Sequence, residues 1–137
     1  MDENKRKHLE MIQGIISRLG GNLFFLKGWS ITVIAALIAL SAKDAHPNYI
    51  LFFVFPVFIF IFWILDGFFL SKEKQYRELY DDVRKLDEKQ IDFSMHTEKY
   101  EKYFRNTWIF AMFSATLMWF YFPLLVVLFV IILINLN

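Results

Sequence analysis

Lys27 and Asp66 carry the clearest chemistry in the sequence. Each is the only formally charged side chain within its own apolar stretch, and the two lie at similar distances on either side of residues 43–48. If those stretches are antiparallel helices, the charges fall at one depth. This predicts an interhelical ion pair; an unpaired Lys27 at an inner mouth would instead favour anions. Beside Lys27, the residues Gly28, Thr32, Ala35, Ala36 and Ala39 recur at helical spacing. Small faces of this kind let membrane helices approach closely, and they leave room for water where several copies ring an axis. Thr107, Ala111, Ser114, Met118 and Tyr121 form a second face of mixed small and polar character.

Another group interleaves bases with tyrosines: Lys72, Arg77, Tyr80, Arg84, Lys99, Tyr103 and Arg105. Such residues could contact phosphates and stack on nucleobases. Segment 71–106, however, holds nine basic and nine acidic residues. A net charge of zero argues against duplex nucleic acid and leaves a compact site for a short oligonucleotide between subunits. His8, His46 and His96 stand alone, there is no Cys, and no Walker, GxGxxG, GxSxG or HExxH pattern occurs. No catalytic residue, metal site or cofactor is therefore expected, and the chain does not read as an enzyme.

The elements that must position these residues follow from composition. Of 137 residues 57% are hydrophobic and 17 are Phe, above the 45–50% apolar content usual in soluble domains. The charges are segregated: Asn22–Ala42, Pro47–Leu70 and Asn106–Asn137 contain only Lys27 and Asp66. The sequence thus predicts an all-α integral membrane protein with three transmembrane helices per chain and additional cytoplasmic amphipathic helices. The expected divisions are a cytoplasmic amphipathic helix at 1–22, a first span at 23–42 and an external loop at 43–48. A second span at 49–70, a cytoplasmic helical hairpin at 71–106, a third span at 107–134 and an external tail at 135–137 complete the chain. The third block, at ~1.5 Å per residue, exceeds a bilayer; a single helix, tilted or kinked at Pro123, accounts for it. The second span is Phe-rich nearly all round and is expected against lipid.

Basic residues concentrate in 1–27 and 71–106, which places the N-terminus and 71–106 in the cytoplasm and the C-terminus outside. The mixed charge of the N-terminal segment does not match a cleavable signal peptide. Leu9, Ile12, Ile16 and Leu19 form one stripe, expected to pack against the other cytoplasmic helices, and Gly20-Gly21 is expected to stop that helix, with Asn22 capping the next. Residues 71–90 are expected to continue the second span as helix. Thr97 would then cap a new helix leading into the third span.

The string His8-Leu-Glu-Met-Ile-Gln13, the segment Leu26-Lys-Gly-Trp29, the Ala-rich Val33–Ala42 and Trp63-Ile-Leu-Asp66 before a charged helix resemble small bacterial membrane proteins encoded beside anti-phage genes. The arrangement is similar to SLATT-type effectors, with a third span added, and most similar to the membrane subunit of the Hailong defence system. The resemblance implies a homo-oligomeric ion channel, a tetramer being favoured, in the bacterial inner membrane. It implies a channel held closed by an oligodeoxyadenylate that a partner nucleotidyltransferase makes, and opened to abort infection. The alternatives are a non-conducting anchor or scaffold for a soluble partner and a holin-like lesion former.

Overall fold

The first helix, α1, runs without interruption over Glu3–Lys43, so Gly20-Gly21 does not end it and Asn22 caps nothing. Each Gly disfavours helix by only ~1 kcal/mol. A break beside an apolar span would instead orphan several backbone N–H and C=O groups where little water can reach them. The computed structural model describes residues 2–43 and 49–137, without the side chains of Ser41 and Leu51. Most of the expected external loop, residues 44–48, lies outside the described residues.

Helix α2 covers Tyr49–Lys85 and carries Pro56 inside it. It ends short of the expected residue 90, and its end is fixed from a distance. The Lys5 ammonium on α1 donates to the carbonyls of Arg84 at 3.0 Å and Leu86 at 2.7 Å, satisfying acceptors the helix terminus leaves free. The return segment, 86–107, is not the second arm of a helical hairpin. It is extended chain with three 3-10 turns, Glu88–Gln90, Glu98–Tyr100 and Phe104–Asn106. Local side chains compete for its backbone: Asp92 Oδ1 accepts from the Ser94 N–H at 3.0 Å and Ser94 Oγ from the His96 N–H at 3.1 Å. Phe93 between them sits at φ 55°, a left-handed conformation that L side chains disfavour.

The third apolar block is broken in two, and not at Pro123. Helix α3 is short, Trp108–Met112, and α4 spans Ala115–Leu136 with Pro123 inside it. The break falls at Phe113–Ser114, where Ser114 turns extended and its hydroxyl donates to the Ala111 carbonyl at 2.8 Å. Three segments, within Glu3–Leu40, Phe52–Lys85 and Ala115–Leu136, are long and apolar enough to cross a membrane. At ~1.5 Å per residue, α1 and α2 extend well past ~30 Å of hydrocarbon, as an antiparallel pair continuing beyond the apolar part.

Two cores result. At the charged end, Leu9, Ile12 and Ile16 of α1 pack with Leu79 and Val83 of α2 and with Ile91 and Tyr100 of the return segment. Within the apolar part, Ile34 and Leu37 of α1, Phe52 and Ile59 of α2 and Leu117, Tyr121 and Leu128 of α4 pack together. The second span is therefore not wholly lipid-facing. Phe52 is buried and Phe55 and Phe62 pack against the core, while Phe53, Phe58 and Phe60 point outward.

Candidate functional site

Three helices bring one polar residue each to a point inside the apolar part. Lys27 Nζ on α1 lies 2.8 Å from Asp66 Oδ2 on α2, and the Tyr121 hydroxyl on α4 donates to the same oxygen at 2.9 Å. The phenol also lies 3.3 Å from the Phe62 carbonyl. The Asp66 side chain is fully buried, whereas that of Lys27 keeps 24% exposure. The Lys27 ammonium reaches over the Phe120 ring, 5.7 Å from its centroid. Ser30, one turn along α1, is fully buried and donates to the Leu26 carbonyl at 2.8 Å. Asp66 Oδ1 has no hydrogen-bond partner among the described residues. A buried carboxylate so placed holds α1 and α4 to α2 by charge-assisted hydrogen bonds. Sequence reasoning paired Lys27 with Asp66 and missed the third member. The signal was present, because Tyr121 is the one Tyr in the third apolar block.

A second cross-link lies next to this triad. Trp63 stacks on Tyr121, with centroids 6.1 Å apart, and its indole N–H donates at 2.8 Å to the Met112 carbonyl, freed by the helix break. Trp108 answers from α3, donating to the Ile64 carbonyl at 2.9 Å. Gly67 makes this approach possible. A Cβ there would collide with the Met112 side chain and lie 3.3 Å from Met112 Cα.

The charged end holds a buried polar network. The Ser71 hydroxyl donates at 2.5 Å to the Asn106 carbonyl, and Gln75 Nε2 donates to Ser71 Oγ and to that carbonyl, both at 3.3 Å. The Thr97 hydroxyl donates to Gln75 Oε1 at 3.1 Å, so Thr97 fastens the return segment to α2 and its side chain caps no helix. Asn106 Nδ2 donates to the Tyr100 carbonyl at 3.1 Å. The Tyr100 hydroxyl donates to Asp82 at 2.7 Å; burial and the Asp82 carboxylate push this phenol well above its ordinary range, so it remains a donor.

The small faces have opposite fates. Gly28, Thr32, Ala35, Ala36 and Ala39 all lie on the exposed side of α1, opposite the buried Ser30, Ile34 and Leu37. A Cβ on Gly28 would meet nothing within 4 Å. The face on the third block turns inward: Ala111 and Tyr121 are fully buried, and Thr107, Ser114 and Met118 are half-buried. Of the basic and tyrosyl group, Lys72 pairs with Glu101 at 2.9 Å, Arg77 with Glu73 at 2.6 Å and Arg84 with Asp81 at 3.2 Å. Tyr80 packs on the charged-end core and Lys99 lies over the Tyr100 ring. Tyr103 and Arg105 are exposed. No hydrogen bond, ion pair or ring contact joins any two of these seven among the described residues. Among the described residues, no group of three or more His, Asp or Glu side chains is placed to hold a metal ion.

The fold and these sites define an all-helical chain with three helices suited to crossing a membrane. No protein-family model matches the sequence, and no curated protein and no solved structure matches it.

Proposed function

We propose that the protein is a homo-oligomeric pore-forming effector of bacterial anti-phage defence, gated at its charged end by a nucleotide or oligonucleotide signal or by a partner protein. In this reading it lies in the bacterial inner membrane, with the N-terminus and residues 71–106 in the cytoplasm and the C-terminus outside. The basic residues of 1–27 and 71–106 support that orientation. A single chain with three spans cannot enclose a water-filled path, so conduction requires several copies, four being favoured.

The observation that carries the reading is the uncovered face of α1. The chain buries the side of this helix that carries Ser30, Ile34 and Leu37 and leaves Gly28, Thr32, Ala35, Ala36 and Ala39 open, between the exposed flanks of Trp29, Ile31, Ile38 and Leu40. Lipid gains little from such a face, whereas another helix can approach it closely and water can wet it. The same helix continues into the charged end, so a ligand that favours one packing there biases the span directly. An oligodeoxyadenylate from a partner nucleotidyltransferase is the ligand the family resemblance implies. Arg77, Arg84, Lys99, Tyr103 and Arg105 have their side chains on the outer surface, where neighbouring copies could share it.

The sequence has no Cys, so single cysteines report cleanly. Ala35→Cys and Ala39→Cys are expected to cross-link between copies in membranes and Phe53→Cys not to, and purified protein in a planar bilayer is expected to conduct. Absence of conductance with and without candidate oligonucleotides refutes the reading. Discrete tetramers favour a channel, large arrays a holin-like lesion, and no self-contact a scaffold.

A further inference from the structure

Where the apolar run of α2 gives way to charge, a cavity of about 300 Å³ opens between α2 and the return segment. Phe68, Ser71, Lys72, Gln75, Glu101 and Trp108 line it. Its position is that of a membrane–water boundary: Lys72 is the first charged residue after Asp66, and apolar chain precedes it. Of the aromatic residues around it, Trp108 and Tyr103 have the amphipathic character typical of that depth. Phe68 and Trp108 meet edge to face, 5.5 Å between centroids, and both are partly exposed; Tyr103 and Phe104 close by in sequence are exposed as well.

The interior is built as well as roomy. Ser71 and Gln75 are buried polar residues held by the network described above, which fixes the wall. At the mouth stands a complementary pair of charges, Lys72 Nζ 2.9 Å from Glu101 Oε1 and 5.8 Å from the Phe68 ring centroid. Lys72 and Glu101 side chains are 30% and 51% exposed, so both can turn toward a ligand. A polyanion gains little from a cation already matched by a carboxylate. A zwitterion gains from both: a phosphate on Lys72, and an ammonium on Glu101 with aromatic rings beside it.

We propose that this cavity seats the headgroup of a zwitterionic phospholipid of the ethanolamine type, its phosphate on Lys72 and its ammonium on Glu101 between Phe68 and Trp108. The volume lies at the small end of ligand sites, which suits a headgroup. The acyl chains stay in the bilayer that the three spans cross. The lipid would then brace the return segment against α2 in every copy, whatever the assembly conducts.

Native mass spectrometry of the full-length protein in detergent, titrated with phosphatidylethanolamine or phosphatidylglycerol, tests this. The expected result is one bound phosphatidylethanolamine per chain, with phosphatidylglycerol weaker by about tenfold. Lys72→Ala and Glu101→Gln should each weaken the ethanolamine lipid by about tenfold, and Lys72→Arg should keep it. Unchanged helical content by circular dichroism shows that these surface variants fold. Equal affinity for the two lipids, or equal retention by wild type and both variants, overturns the proposal. Displacement by water-soluble glycerophosphoethanolamine at matching concentration would assign the cavity to a free zwitterion and overturn the lipid assignment.

Discussion

Removing one member of the Lys27–Asp66–Tyr121 triad should destabilise the chain in an order set by exposure. Asp66 is fully buried and accepts from Lys27 at 2.8 Å and Tyr121 at 2.9 Å. In Lys27→Met the carboxylate keeps only the phenol, and a buried charge stripped of its partner costs about 3–5 kcal/mol. Asp66→Asn should cost less, about 1–3 kcal/mol for an imperfectly paired buried polar group. Its orphaned Lys27, already 24% exposed, can extend its amine toward the boundary. Tyr121→Phe should cost about 1.5–3 kcal/mol, one hydrogen bond to a charged acceptor. Lys27→Met with Asp66→Asn removes the charge and its counter-charge together and should recover most of the Lys27→Met loss. The assay is unfolding in mixed micelles with rising SDS, followed by tryptophan fluorescence, for which Trp63 stacked on Tyr121 is an internal reporter. A Lys27→Met loss no larger than that of Asp66→Asn would refute the exposure argument. Single losses that add within about 0.5 kcal/mol in the double variant would refute the pairing itself.

Gly67→Ala should destabilise by about 1–3 kcal/mol, because its methyl collides with Met112; Gly28→Ala, where a Cβ meets nothing, should be neutral or slightly stabilising in the same SDS titration. Gln75→Leu removes a donor to the Asn106 carbonyl and the acceptor of Thr97, so it should cost about 1–3 kcal/mol and raise amide exchange in 94–107 ahead of the spans. His8 is buried, has no partner for Nε2 among the described residues and packs edge to face on Phe93 at 5.4 Å. Burial lowers its pKa below the ordinary value, with Asp92 opposing. Folding favours the neutral ring, so its contribution is full above about pH 6.5 and is lost as pH falls through the lower folded value. Exchange in 86–97 should rise on acidification in wild type, and this rise should be absent in His8→Leu.

The number of spans was legible because charge segregation is a property of composition: two isolated charges inside three apolar blocks leave few other readings. The α1 stripe was legible for a similar reason, since Leu9, Ile12 and Ile16 repeat at helical spacing. What escaped the sequence depends on partners far along the chain. The stop of α2 at Lys85 is held by Lys5, 79 residues from Arg84. The break at Ser114 occurs where Gly67 admits Met112 and where Trp63 satisfies the freed carbonyl. Pro123 looked the stronger breaker by local rules, but a Pro inside a membrane helix forfeits one backbone bond without having to end it. Gly20-Gly21 misled in the same way, because the cost of two glycines is small beside that of opening a helix at an apolar boundary.

The three spans differ in what they leave outward, and this bears on which one a second copy would meet. The outer surface of α2 shows Phe53 and Phe58, and that of α4 shows Trp119, Phe122 and Phe129, bulky groups suited to acyl chains. Among the described residues, only α1 presents small residues along several turns. Its rotation about its own axis is fixed at two heights, by Lys5 on the end of α2 and by Lys27 on Asp66. Turning the small face away would break both contacts and withdraw Ile12 and Leu37, each fully buried, from two separate cores. The direction of that face is therefore a consequence of packing inside one chain, set before any neighbour arrives. A mechanism that reorients it must loosen both contacts together, since Lys5 and Lys27 share a single unbroken helix.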